Sequence, residues 1–262
     1  MKGIRKYRLV VLGIGLMVGS LVFSGSKGSY AGPADRTDQT VDGVVLIDQS
    51  RALAGGVTTG DAPGFPVTIS EPGSYRLSGN LIGEINIDTV VIAAGGVTFD
   101  LNGFSIQTGP GNSRGITDNG VVYSGIVIRN GAIRAHQSTK GIEMFSAQVE
   151  ISRIQVFNGA FGIQTRGKGA ILSGNIAAGG ANGFVVSGES IVTGNIARGI
   201  TSVGFSVGAG SLISGNSASN NAIGISVSCP NNVIGNVATN NSSTNIAAFG
   251  GGCTLVNNNP AP

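Results

Sequence analysis

Tryptophan is absent from the 262 residues, histidine occurs once, cysteine twice, and only 11% of the chain is charged. Each scarcity removes a class of function. A lone histidine, His136, with no second His or Cys near it, does not make a zinc site. Of the 13 acidic residues only Glu189 lies beyond Glu150, so most of the C-terminal half cannot assemble the carboxylate cluster that Ca²⁺ needs. Exposed aromatics are the usual sugar-binding platform, yet aromatics make up 5% of the chain and only Phe145 and Phe249 occupy outward places. No metal and no cofactor is expected. The one long apolar run, Leu9 to Phe23, is short for a membrane span and is interrupted by Gly13, Gly15 and Gly19.

That run follows Lys2, Arg5, Lys6 and Arg8 and precedes Ser29-Tyr30-Ala31, the three-part pattern of a secretory signal peptide over residues 1–31. The region has no cysteine, which argues against a lipid anchor. Removing it takes away five basic residues, leaving 11 basic against 13 acidic and a charge of −2. The apparent basicity therefore belongs to the export signal and gives no support for nucleic-acid binding. The expectation is an exported protein, secreted or periplasmic, with no membrane contact after cleavage. Two cysteines in that setting point to one disulfide.

Glycine contributes 45 residues, and they are not scattered. A Gly or Asn followed by a bulky apolar residue recurs at Gly141, Gly162, Gly183, Gly204, Gly224 and Asn245, with spacings of 21, 21, 21, 20 and 21. A second marker, Asn175, Asn195, Asn216, Asn236 and Asn257, runs in phase at 20, 21, 20 and 21. A period this short means one unit stacked on itself. Within a unit the apolar positions alternate with period two, as strands do, and no sustained helical period appears. About 21 residues return the chain to its starting corner, so the crossover between parallel strands is itself made of strands. The pattern predicts an all-β, three-sheet parallel β-helix over 85–259, coils about 4.8 Å apart. Residues 42–84 would form an N-terminal cap, 32–41 a tether and 260–262 a tail.

Arg114-Gly-Ile116 precedes Lys140-Gly-Ile142 by 26 residues, which places an insertion in that coil. Asn102 and Asn130 read as earlier members of the asparagine column, broken at Ile154. In the cap, Leu46 to Leu53 reads as a short helix ending at Gly55-Gly56, followed by strands at Val67–Ile69, Ser74–Leu77, Ile85–Ile87 and Val90–Ile92. On the repeat's first strand Ile142, Met144, Ile163, Thr165, Phe184, Val186, Phe205, Val207, Ile225 and Val227 should face inward. Glu143, Gln164, Val185, Ser206, Ser226 and Ala247 should face outward.

The coils around Ser214-Gly-Asn-Ser and Ile234-Gly-Asn-Val resemble the right-handed parallel β-helix superfamily, the pectate-lyase-like and NosD-like group. Pro72-Gly-Ser-Tyr-Arg-Leu77 and Val97-Thr-Phe-Asp-Leu-Asn-Gly-Phe104 look like the opening coils of exported bacterial members with no assigned activity. The resemblance implies the fold, right-handed, and brings in acidic polysaccharides as a substrate class. The patterns such enzymes need are missing: there is no Asp-Asp pair, no Gly-His-Gly and no Asp-Pro-His-Asp motif. What remains is a polar group in the irregular coils, where Tyr123, Arg129, His136, Lys140, Glu143 and Arg166 are the candidate catalytic residues, with Asp118, Gln164 and Lys168 nearby. Tyr, His, Arg and a carboxylate are the types that abstract a proton beside a sugar carboxylate.

Two functions stay open. One is a structural, surface or adhesion rod that can contact a polysaccharide or cell-surface glycan and can self-associate. The other is a divergent polysaccharide lyase or uronate epimerase with its site between Tyr123 and Arg166. Aligning the last coils sets Cys253 close to the corner that holds Cys229, so a Cys229–Cys253 disulfide is expected to staple the end of the solenoid.

Overall fold

The computed structural model describes residues 40–41 and 43–259. The expected signal peptide, all of the tether before Thr40, and the tail lie outside the described residues. Among those described, no helix is long and apolar enough to cross a membrane.

The chain forms a right-handed parallel β-helix with a repeat of about 21 residues. A regular coil carries three short strands that pair in parallel with their counterparts in the coils below and above, and the one antiparallel pair among the described residues is Thr40–Val41 with Val44–Ile47. The first face holds the glycine-led strands, among them Lys140–Met144, Phe161–Thr165, Asn182–Val186 and Val203–Val207, within one nine-stranded sheet. The second face is represented by Ile171–Ser173, Ile191–Thr193 and Leu212–Ser214, the third by Ile176–Ala178, Ile196–Arg198 and Ser217–Ser219. Instead of three separate sheets there are two, because the eight-residue strands Val127–Arg134 and Glu150–Phe157 run unbroken through the second corner and join two faces into one 17-stranded sheet.

The glycine of each repeat has a steric cause. A Cβ at Gly141 would sit 2.5 Å from the carbonyl oxygen of Gly162, one at Gly162 2.6 Å from that of Gly183, and one at Gly204 2.6 Å from that of Gly224. Only hydrogen lets the next coil close down at this point. At Gly224 the same atom would meet Asn245 O at 2.5 Å, while Asn245 itself has no described coil above it and tolerates a side chain. The third face supplies the matching small residues, Ala177, Ala197, Ala218 and Ala238, all buried.

Inward residues stack coil on coil into a single apolar core. The phase expected for the first strand is correct: Ile142, Met144, Ile163, Thr165, Phe184, Val186, Phe205, Val207, Ile225 and Val227 are all buried. Phe184 and Phe205 stack with centroids 4.7 Å apart and planes 8° from parallel. The outward positions divide. Val185, Ser206, Ser226 and Ala247 are half-buried, but Glu143 and Gln164 are only 2% and 6% exposed. They point away from the core and are covered by long cationic side chains.

The asparagine column is a buried hydrogen-bond ladder. Asn195 Oδ1 accepts from the backbone N–H and the Nδ2 of Asn175, at 2.9 and 3.0 Å, and its own Nδ2 donates to Leu172 O and to Asn216 Oδ1. The pattern repeats through Asn216 and Asn236. Its last rung is Asn258, not Asn257, since Asn236 donates to Asn258 Oδ1. Asn257 takes the left-handed conformation one residue earlier, at φ 52. Asn130, likewise left-handed at φ 61, shares that position with Arg153 and Gly174, so it is a turn residue and not a ladder member. Asn102 is left-handed as well, at φ 51, and bonds Leu77 O instead of a ladder neighbour. Ile154 does interrupt the column, and its N–H donates to Asn175 Oδ1 to start the ladder.

The other two corners carry ladders of their own. Ala170, Ser190 and Ser211 donate backbone N–H groups to Ser190 Oγ, Ser211 Oγ and Asn231 Oδ1 in the next coil. Ile200 and Asn221 do so to Asn221 and Asn241 Oδ1.

Two details of the cap differ from expectation. The helix spans Gln49–Ala54, because Val44–Ile47 is taken as a strand by parallel pairing with Gly73–Leu77. Asp48 then caps the helix by accepting from Arg51 N–H at 2.8 Å. Ile85–Ile87 is a turn and not a strand, with Asn86 left-handed at φ 58 and Ile85 63% exposed. The extra length before Lys140 is shared by two corners. Nine residues separate Thr117 from Val127 where six separate Glu143 from Glu150, and five separate Arg134 from Lys140 where three separate Phe157 from Phe161.

Cys229 and Cys253 are bonded, with Cα atoms 5.0 Å apart. Thr254 pairs with Asn232, which places Cys253 over Asn231, at the corner that follows Cys229.

Candidate functional site

On the first face, charged residues stack because the repeat stacks. Asp88, Arg114 and Lys140 each precede an apolar inward residue by two positions, so parallel register places them on successive coils with Phe161 next above. Glu143 projects beside them, its side chain 3% exposed. Lys140 Nζ lies 2.6 Å and Arg166 Nε 2.9 Å from Glu143 Oε1, with Arg114 Nη1 3.5 Å from Oε2. Arg114 also grips Asp88 through Nε at 3.0 Å and Nη2 at 2.6 Å. Arg166 packs over the Phe145 ring at 5.3 Å, and Lys140 over Phe161 at 5.7 Å. Beside these groups is a hollow of about 320 Å³ lined by Asn86, Asp88, Asn112, Arg114, Lys140 and Glu143.

Burial alone would raise the carboxyl of Glu143. The hydrogen bonds and charges of Lys140 and Arg166 outweigh it and hold Glu143 below the ordinary glutamate range. The Asp88 contact raises Arg114, against the opposing effect of burial. Glu143 is thus a fully ionised, three-fold neutralised carboxylate, stabilised in the state that least readily takes a proton.

Of the six candidate residues, Lys140, Glu143 and Arg166 come together. Tyr123, Arg129 and His136 do not join them. Tyr123 sits half-buried in the longer first-to-second corner, its N–H donating to Ser146 Oγ. Arg129 is on the second face beside Asp100, Nε to Oδ2 at 3.1 Å. His136 is exposed in the longer third-to-first corner. Asp118 is buried and accepts the N–H groups of Phe145 and Ser146, which fastens the Tyr123 corner to the next coil. Lys168 pairs with Glu189 at the surface.

Arg114 and Asp88 complete the cluster and were legible only through register. Arg114-Gly-Ile and Lys140-Gly-Ile align as repeats, which stacks the two cations, and Asp88 stands at the same offset before Val90. Among the described residues no group of three or more His, Cys, Asp or Glu is placed to hold a metal ion.

The fold and these faces define a right-handed parallel β-solenoid, the architecture of the pectate-lyase-like superfamily. Compared with protein-family models, with curated proteins and with solved structures, the chain matches none. The assignment therefore stands at the level of fold.

Proposed function

We propose that this chain is an exported structural or surface solenoid whose partner is a cell-surface glycan. The observation that carries this reading is the state of Glu143. The one carboxylate central to the polar cluster is occupied by three cations, so it serves to tie adjacent coils together and is a poor proton acceptor. The sequence pattern of a signal peptide over residues 1–31 and the Cys229–Cys253 bond fit an extracytoplasmic setting.

The lyase or epimerase reading draws on one observation, the hollow beside Arg114 and Lys140, where a sugar carboxylate could pair with cations. The two readings part in one assay. Incubation with a panel of acidic polysaccharides, followed by absorbance of unsaturated products and by epimer analysis, should give no turnover. Turnover lost in Glu143→Gln or Lys140→Gln, with the fold intact, would establish the enzyme instead.

A further inference from the structure

The first-face cations are largely neutralised by Asp88 and Glu143, but the arginines on the opposite side are not. Arg76, Asp100 and Arg129 occupy one outward column of the second face on successive coils, about 4.8 Å apart. Arg153 stands at the adjoining corner one coil further on, next to Ser152, the residue that pairs with Arg129. Asp100 is 9% exposed, and its oxygens accept from Arg129 Nε at 3.1 Å, from Asn130 Nδ2 at 3.2 Å and from Asn102 N–H at 2.8 Å. Asn130 Oδ1 in turn accepts from Arg153 Nε at 2.7 Å.

This network holds Arg129 and Arg153 by their Nε atoms only. The terminal nitrogens of both have no acceptor among the described residues. Arg76 has neither an ion pair nor a hydrogen bond there, and its buried Nε is unpartnered. Of the three guanidinium groups only that of Arg129 reaches the carboxylate of Asp100, which leaves the charges of Arg76 and Arg153 without a carboxylate partner among the described residues. Arg134 and Arg198 are exposed three coils apart in one column of the third face and take no part in this network. Among the described residues the other carboxylate in the outward columns of these faces is Glu150, which is in the first column and not in the network.

From this geometry we infer that Arg76, Arg129 and Arg153 form a binding site for a phosphate ester carried on a glycan. A guanidinium presents paired donors that match phosphate oxygens, which an ammonium does not. A phosphomonoester carries a charge of about −1.5 to −2 at neutral pH, the complement of the local excess. Anchoring at Nε by Asp100 and Asn130 removes much of the rotamer entropy that free arginines lose on binding. The inference rests on the glycan-partner reading above but assigns a face that the first-face cluster does not touch.

The test is calorimetric titration of the full chain with inorganic phosphate, with a phosphorylated mannan and with the same mannan dephosphorylated. Phosphate and phosphomannan should bind and the dephosphorylated polymer should not. Arg129→Gln/Arg153→Gln should weaken both at least about tenfold, as expected for lost charge-assisted pairs. Arg76→Gln should weaken them with the Asp100 network left whole, which separates lost binding from lost folding. Lys168→Gln, which changes net charge as much as Arg76→Gln but at another corner, should leave binding as it was. Equal loss in Lys168→Gln, unchanged binding in both arginine variants, or no phosphate binding at all would overturn the site. Binding of inorganic phosphate with no binding of phosphomannan would retain the anion site and reject the glycan partner.

Discussion

Phe205 and Ser206 are neighbours with opposite duties. Phe205 is 0% exposed and stacked on Phe184, whereas Ser206 lies on the outer surface of the same strand, half-buried. Phe205→Asp should lower stability by at least about 4 kcal/mol, since it opens a cavity and buries an unpaired charge. Ser206→Asp should change it by no more than about 0.5 kcal/mol. Equal shifts in the two denaturant midpoints would mean the strand phase is wrong. Glu143 sets a second residue-level expectation. Its folded-state carboxyl lies below the ordinary range, so its contribution is complete above the unfolded value, roughly pH 4, and is lost as pH falls through the folded one. Glu143→Gln should therefore be less stable than the parent at neutral pH. As pH falls below the unfolded value and through the folded one the gap should narrow, as read from thermal midpoints across a pH series.

The corner ladders act as elements in their own right. Each asparagine amide spans two coils and satisfies buried backbone groups that no strand pairing reaches. Asn195→Asp isolates the donor half of that role. The carboxylate can still accept from Asn175, but it can no longer donate to Leu172 O or Asn216 Oδ1 and would bring a charge into a fully buried position. The expected cost is about 3 kcal/mol or more at neutral pH, with partial recovery under acid conditions where the new side chain protonates. A variant as stable at pH 7 as the parent would show that the ladder only fills space. The glycine column rests on a different cause, close approach between coils, and its replacement by Asn245 in the last described coil follows from the same geometry.

Stability in a stacked rod is passed between nearest neighbours, so the ends decide where unfolding begins. From Gly199 to Asn259 the chain has no Asp, Glu, Lys or Arg, and these coils depend on apolar stacking, the ladders and one covalent bond. The Cys229–Cys253 link spans 24 residues and joins the last two coils. Replacing both cysteines by serine should cost on the order of 3 kcal/mol by loop entropy. Hydrogen exchange should then accelerate first in Thr244–Phe249 and Thr254–Val256 and leave the coils near Gly141 protected. Uniform acceleration along the rod would mean that the solenoid unfolds as one cooperative block.

The sequence by itself determined the repeat, the inward phase of its strands and the pairing of its two cysteines. Each of these is a periodic or local property: a steric need for glycine recurs once per coil, and side-chain alternation has a fixed period of two. It also determined where the irregular coils lie. Only the tertiary structure decided the ladder's last rung, Asn258 over Asn257, because a turn residue and a ladder residue are both asparagines and differ only in backbone conformation. Only it showed that Lys140, Glu143 and Arg166 meet while Arg129 stands on another face and Tyr123 and His136 at corners, since the 23 residues from Glu143 to Arg166 amount to one rung of stacking whereas Arg129, nearer in sequence, lies on the second face. The burial of Glu143 was illegible for the same reason. An outward carboxylate is solvated or enclosed according to what the coils below and above place beside it, and here they place Arg114 and Arg166.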